Sequence, residues 1–220
     1  LIEFRSGYAV ANASVTNGPA FYGCFVHNRG RINVRGTGAF TVSRSTFENE
    51  IGGLVDLQGD NGFEGDNWPA TVINEGTFRK SAGTGTATID SVFSLAGGTV
   101  EVQSGHLAFQ DSGTYSNGTF VIAPNSTVRL AVDGPTVSSY VDGRLTGSGG
   151  GHLILDGGGW LFAGGPHGAP TGGAVLDFPG EFFQWNRGSI QSYSSAAPMV
   201  NRGTMNIQVD GNAAAGAGPA

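Results

Sequence analysis

The stretch VINEGTFRKSAGTGTATIDS, residues 72–91, decides the fold of this chain. Apolar or β-branched residues alternate in it with polar ones, and glycine or asparagine separates the alternating runs. Alternation with a period of two is typical of a strand with one buried face, whereas glycine and asparagine adopt turn conformations at low cost. The stretch therefore predicts short strands joined by tight corners.

The same pattern recurs along the chain. Four segments place an asparagine, one further residue, a glycine, a polar residue and then an apolar residue. The Asn–Gly pairs of this corner motif are Asn28–Gly30, Asn74–Gly76, Asn186–Gly188 and Asn201–Gly203. Looser copies contain Gly98 and Gly118, which follow Gly76 at intervals of about twenty residues, the length of one coil of a solenoid.

These repeats predict an all-β fold, a parallel β-helix (β-solenoid) with coils of about 20–22 residues. After each corner the apolar partners, such as Val100 with Val102 and Phe120 with Ile122, are expected to point into the core. A β-sandwich is the alternative, because it also consists of short strands separated by turns. The fixed distance from corner to apolar pair favours the β-helix.

We divide the chain into three parts. Residues 1–25 are predicted to form an N-terminal strand, cap or assembly segment, residues 26–210 the β-solenoid, and residues 211–220 a Gly/Ala/Pro-rich linker or tail. The net charge is −6, and only 11 Lys and Arg residues are spread along the chain, so nucleic acid is not an expected partner. The apolar runs are much shorter than the roughly 20 residues of a membrane span, and none is predicted.

Three segments carry a resemblance to a known class of protein: NEGTFRKSAGTGTATID at 74–90, GGTVEVQSGHLAF at 97–109 and GTYSNGTFVIAPNSTVRL at 113–130. They resemble repeats of large bacterial secreted and surface proteins of the adhesin or filamentous-haemagglutinin-like type. The resemblance covers roughly residues 26–210. It implies a right-handed parallel β-helix on the cell exterior that serves as a stalk, adhesin or matrix fibre, and it brings no catalytic residues.

An acidic loop contains the candidate metal ligands Asp60, Glu64 and Asp66. Carboxylate oxygens on a glycine-rich loop suit Ca²⁺, and calcium is the one cofactor that this loop suggests. An EF-hand loop that began at Asp60 would need glutamate where Thr71 stands, so this motif is excluded. A calcium site of another geometry and a solvated acidic loop are the two interpretations that are left.

Trp68, Trp160 and Trp185 are the candidates for stacking on a carbohydrate, because an indole ring presents a large apolar face. The segment LILDGGGWLF, residues 153–162, also offers Trp160 and Phe162 as inward residues together with Leu153 and Leu155. Trp160 is thus a candidate for both the surface and the core. If its ring is exposed, it is available to a ligand, and if its ring lies in the core, it is not.

The sequence does not predict an enzyme. Polysaccharide lyases and hydrolases also use parallel β-helices, but they need clustered carboxylates or a carboxylate beside a basic residue. The chain has one lysine, Lys80, and its 4 histidines stand far apart. A lyase or hydrolase is therefore the least favoured of the functions that we considered.

We expect a non-catalytic, extracellular or cell-surface structural protein, a β-solenoid subunit or segment of a fibre or matrix. Its unpaired strand edges would allow head-to-tail self-association, with the N-terminal segment 1–15 as the added strand. Further copies of the chain or other surface proteins are then the partners. The alternative is an adhesin stalk or carbohydrate-binding module, for which the partner is a polysaccharide.

Overall fold

The computed structural model describes residues 2–5, 19–36, 38, 40–65, 70–130, 138–164, 172–192 and 197–208. They form a β-solenoid of about 7 turns with 65% strand and, within these ranges, no helix. Successive coils stack with their strands parallel. The predicted parallel β-helix is thus confirmed, and the β-sandwich alternative is excluded.

Each coil has three faces, because most strands pair in parallel with the third strand after them in the chain. Towards the C-terminus, long strands that cover parts of two faces shorten this step. The first face contains β3 (Phe25–Asn28), β6 (Thr46–Asn49), β9 (Thr71–Asn74), β12 (Val92–Ala96), β15 (Gly113–Ser116), the start of β18 (Ser138–Ser148) and the ends of β19 (His152–Ala163) and β21 (Phe183–Ser192). The second face contains β4 (Arg31–Val34), β7 (Leu54–Gln58), β10 (Thr77–Ala82), β13 (Thr99–Val102), β16 (Thr119–Ile122), the end of β18, β20 (Ala174–Asp177) and β22 (Met199–Asn201). The third face contains β2 (Ala20–Tyr22), β5 (Phe40–Ser43), β8 (Phe63–Glu64), β11 (Thr86–Asp90), β14 (His106–Phe109), β17 (Thr127–Leu130), the starts of β19 and β21, and β23 (Met205–Ile207).

The length of a coil varies, but the asparagines at the end of the first face stay in register. On the first face Asn28 lies beside Asn49, and Asn49 lies beside Asn74. These steps span 21 and 25 residues, respectively. The first step agrees with the predicted coil of 20–22 residues, and the second exceeds it because the acidic loop is inserted between β7 and β9.

Aromatic side chains fill the centre of the solenoid. Buried rings from successive coils touch one another in a continuous row, with centroids 5.7 Å apart for Phe47 and Phe63, 5.4 Å for Phe63 and Phe78, and 5.4 Å for Phe78 and Phe93. Contacts of 4.4 to 6.4 Å continue the row through Phe109, Tyr115 and Phe120. Most of these pairs are tilted or edge-to-face, which is the geometry that aromatic quadrupoles prefer.

Three asparagines form a second row inside the first corner of the coil. Asn28, Asn49 and Asn74 end β3, β6 and β9, and all three are 0% exposed. Asn28 Nδ2 donates to Asn49 Oδ1 at 2.7 Å, and Asn49 Nδ2 donates to Asn74 Oδ1 at 2.7 Å. Each Nδ2 also donates to a backbone oxygen at the start of the second face, those of Leu54, Thr77 and Thr99. This asparagine ladder therefore joins consecutive coils and also joins the first face to the second.

The glycines beside the ladder are required by the close approach of neighbouring coils. A Cβ atom on Gly76 would collide with the carbonyl oxygen of Gly53, and one on Gly98 would lie 2.7 Å from Asn74 Nδ2. In the first copy of the corner motif, Gly30 N donates to Asn28 Oδ1 at 3.2 Å. At these corners asparagine thus stabilises the turn through its side-chain hydrogen bonds, and glycine allows neighbouring coils to approach because it has no side chain.

The last two copies of the corner motif are placed differently. Asn186 and Gly188 lie within β21, where Gly188 has a φ of +94° that favours glycine. Asn201 ends β22 and is exposed, and its Oδ1 accepts a hydrogen bond from Gly203 N at 3.3 Å. Only the first two copies therefore contribute to the buried ladder.

The two ends of the solenoid differ. At the N-terminal end, β1 (Ile2–Arg5) pairs antiparallel with β3 and covers the edge of the first face, whereas β2 belongs to the third face. At the other end, β22 and β23 pair with β20 and β21, and no further described strand lies beyond them. Val200 and Ile207 in these last strands are 39% and 58% exposed. The predicted tail, residues 211–220, lies outside the described residues.

Replacing the middle of the asparagine ladder tests its contribution to stability. Asn49→Ala should lower the free energy of unfolding by about 2–4 kcal/mol, because several buried hydrogen bonds are lost and the Oδ1 of Asn74 keeps no donor from the ladder. Urea denaturation followed by circular dichroism measures the change. The control is Asn33→Ala, an exposed asparagine, for which we expect less than about 0.5 kcal/mol. Equal effects of the two substitutions would contradict a structural role for the ladder.

Candidate functional site

A buried lysine holds the start of the acidic loop. Lys80 is 0% exposed, and its Nζ donates to Asp60 Oδ1 at 2.9 Å. The same Nζ donates to three backbone oxygens, those of Gly59, Ala82 and Gly83, at 3.2, 2.6 and 3.1 Å. The hydrogen bond from Lys80 holds the pKa of Asp60 below its usual value. The ammonium group thus occupies a cage of four oxygens and supplies the positive charge that a calcium ion would bring to Asp60.

Glu64, the second predicted calcium ligand, lies on the third face next to another carboxylate. Glu64 is exposed and is the register partner of the exposed Asp90, one coil further on. Both line an open polar cleft of about 410 Å³ together with Asp60, Asn61, Thr88 and Gln110. Asp66 lies outside the described residues. The structure therefore shows two carboxylates side by side on the third face, with Asp60 engaged by Lys80.

The tryptophans that were candidates for sugar stacking occupy different environments. Trp185 is partly buried against the core, and its Nε1–H donates to the carbonyl oxygen of Gly188 at 3.1 Å. Trp68 lies outside the described residues. Trp160 lies on the outer side of the first face, where its ring centroid is 5.9 Å from that of Phe162 with an angle of 5° between the planes. Of the described pair, Trp160 is therefore the one on the outer surface.

The prediction that Trp160 and Phe162 point inwards is wrong. The alternation that starts with buried Leu153 and Leu155 continues without a slip, so Leu161 and Ala163 are the inward residues, at 1% and 0% exposure. Phe162 stacks on Tyr140 of the preceding coil at a centroid distance of 5.6 Å. We call Tyr140, Trp160 and Phe162 the outer aromatic row.

The structure brings together three residues that the sequence did not connect. His27 and Glu48 are register partners on the outer side of β3 and β6, and Glu50 follows one residue after β6. His27 Nδ1 lies 2.9 Å from Glu48 Oε2 and 2.8 Å from Glu50 Oε1. In the described part of the chain, this is the group of three His, Asp or Glu side chains whose ligand atoms all lie within 4.8 Å of one another.

Arg29 completes this cluster. Its Nε pairs with Glu50 Oε2, and its Nη2 donates to Glu50 Oε1 at 3.2 Å. Hydrogen bonds from Arg29 and then from His27 lower the pKa of Glu50, against a desolvation effect of the opposite sign. The coil offset of 21 residues is the sequence signal for this cluster, since it aligns FVHNR at 25–29 with TFENE at 46–50.

An ion-pair row runs along the second face. Arg79 lies between its register partners Asp56 and Glu101, and its Nη2 is 2.8 Å from Asp56 Oδ2. Burial alone would raise the pKa of Asp56, but hydrogen bonds from Arg79, Gln58 and Ser81 outweigh it and lower the pKa to about 2. Asp56 is 1% exposed, so its charge depends on these donors.

The depressed pKa of Asp56 predicts acid sensitivity. Because the carboxyl is more acidic in the folded than in the unfolded chain, its stabilising contribution is present above pH 4 and is lost as the pH falls to about 2. Between pH 4 and pH 2 the wild-type chain should lose about 2 kcal/mol more unfolding free energy than Asp56→Asn loses. Urea denaturation at each pH measures this difference. Glu181→Gln, at an exposed carboxyl, is the control. An equal effect of both substitutions would contradict the assignment.

Comparison of the chain with protein-family models, with curated proteins and with solved structures finds no match. The described residues contain no helix of the length and hydrophobicity that a membrane crossing requires.

Proposed function

We propose that this chain is a rigid, non-catalytic segment of an extracellular or cell-surface β-solenoid protein, of the stalk or fibre kind found among adhesins. The observation that carries the proposal is the unbroken core, in which buried aromatic rings touch from coil to coil between Phe47 and Phe120. A solenoid coil contacts only its neighbours, so a continuous core turns a series of coils into one stiff body. The resemblance of the repeats to bacterial surface proteins supports the extracellular location.

Self-association is the second part of the proposal. The last described coil presents the strand edges of β22 and β23, with no described strand beyond them, together with the exposed side chains of Val200 and Ile207. Unpaired parallel edges accept further strands, and a head-to-tail contact between copies has no closing symmetry, so it extends into a filament. The first coil of another copy is the partner that offers matching strands on the second and third faces.

Shape and association are tested separately. Small-angle X-ray scattering at low concentration should give the bell-shaped Kratky curve of one rigid body, which measures about 34 Å along the axis for the 7 coils at 4.8 Å per coil. Sedimentation at rising concentration should show oligomers that Val200→Lys weakens at least about tenfold, because a charge at the edge opposes strand addition. A Kratky curve that keeps rising at high angle, as a flexible chain gives, would overturn the rigid segment.

The matched control for the association test is Ile51→Lys. Ile51 is 82% exposed at a corner, away from the last coil, so its substitution should leave association unchanged. A chain that stays monomeric at every concentration overturns self-association but leaves the rigid segment intact. Equal weakening by both variants would indicate non-specific hydrophobic contact instead of end-to-end pairing.

Carbohydrate binding is a second candidate function, and the outer aromatic row favours it. Tyr140, Trp160 and Phe162 present nearly parallel rings on the outside of a flat sheet. Polar residues surround them in the register, with Ser138 and Ser189 beside Trp160 and Gln191 beside Phe162. Aromatic faces next to hydroxyl and amide groups match the alternating apolar and polar surfaces of a pyranose ring.

Substitution of the tryptophan tests this second candidate. Trp160→Ala should weaken the retardation of the chain by a soluble neutral polysaccharide about tenfold in affinity electrophoresis, roughly 1.4 kcal/mol. Trp185→Phe is the control, because Trp185 is partly buried against the core. If the polysaccharide gel retards Trp160→Ala as strongly as it retards the wild-type chain, the outer aromatic row is excluded as the binding surface.

A further inference from the structure

We propose that His27, Glu48 and Glu50 form a binding site for a transition-metal ion, with Zn²⁺ as the ion that fits best. The site lies on the outer side of the first face, near the N-terminal end of the solenoid. It is independent of the acidic loop and of the outer aromatic row.

The first argument is the geometry around the imidazole nitrogen. His27 Nδ1 lies within 2.9 Å of one oxygen from each of two carboxylates, although a ring nitrogen carries at most one hydrogen. One proton therefore cannot serve both oxygens fully, whereas a metal ion at the centre binds all three atoms. Zn²⁺ binds nitrogen and oxygen at about 2.0–2.2 Å, which in a tetrahedron places ligand atoms about 3.4 Å apart. Each of the two nitrogen–oxygen distances, now 2.9 and 2.8 Å, would have to lengthen by only about half an ångström.

The second argument is that the backbone holds the ligands in place. His27 and Glu48 are fixed beside each other by the parallel pairing of β3 and β6. Asn49 stands between the two glutamates and is locked into the asparagine ladder by hydrogen bonds on both sides. The antiparallel strand β1 places Glu3 at the register position beside His27 on the opposite edge. Little ordering of the chain is needed for the site to form, which favours binding.

The donor set determines the kind of ion. One imidazole nitrogen and two carboxylate oxygens suit Zn²⁺ and its neighbours in the first transition series, while Ca²⁺ and Mg²⁺ prefer all-oxygen sites. The side chains of His27, Glu48 and Glu50 are 23%, 28% and 19% exposed, so solvent reaches the site and water can fill the fourth position. Arg29 is the competitor, because its guanidinium group already pairs with Glu50.

Titration of the untagged chain with ZnCl₂ in a calorimeter tests the proposal. We expect one saturable site in the wild-type chain and no comparable heat with MgCl₂. His27→Gln should weaken Zn²⁺ binding at least about tenfold, and Glu48→Gln by a similar factor. His152→Gln is the matched control, since His152 lies in a different coil and its Nδ1 contacts the carbonyl oxygen of Glu181. Circular dichroism checks that every variant keeps the wild-type fold.

A fourth variant separates this site from other zinc-binding surfaces. Arg29→Gln releases Glu50 from its ion pair and removes a nearby positive charge, so it should strengthen Zn²⁺ binding several-fold. Absence of a saturable site in the wild-type chain overturns the proposal, and so does unchanged binding by His27→Gln. Weaker binding by Arg29→Gln would overturn the assignment of Glu50 as a ligand.

Discussion

Parallel hydrogen bonds between backbone groups hold each coil of the solenoid to the next. They fix each residue beside an equivalent residue of the next coil, so that one position can repeat as a row through several coils. The asparagine ladder and the ion pairs of Arg79 follow directly from this register, and the aromatic rings of the three faces meet in the interior that the stacked coils enclose. Glycine is needed where adjacent coils approach too closely for a Cβ atom, as at Gly76.

The fold could be predicted because its two determinants are local. Alternation over four or five residues identifies the strands, and Val100, Val102, Phe120 and Ile122 point into the core as that alternation predicts. Two of the four copies of the Asn–Gly motif, those that begin at Asn28 and Asn74, mark the corner between the first and second faces. The pattern does not reveal that the asparagine side chains bond to one another, and Asn49 was missed because its glycines follow at a different spacing, in NEIGG at 49–53.

The candidate sites were harder to predict, because their members meet only through the register. His27 and Glu50 are 23 residues apart, and no motif of contiguous residues contains both. Inserted loops make this worse, since a coil of 25 residues displaces any alignment based on a constant period. Lys80 and Asp60 illustrate another difficulty: a single lysine in a strand gives no sign that its ammonium group closes a corner on the preceding coil. The outer aromatic row could not be predicted without knowing which alternate residues of β19 point inwards. An error of one position exchanges the inward and outward residues.

The stacking of each coil on its two neighbours also determines how the chain would respond to a mechanical load. The hydrogen bonds between coils run along the axis, so tension applied at the two ends stretches them directly, and the terminal coil is held from one side only. Peeling off one coil of 21 residues would free about 70 Å of extended chain while shortening the folded rod by only about 4.8 Å. The molecule would therefore lengthen in discrete steps under force, and each coil that the asparagine ladder joins to its neighbour would need a larger force to detach.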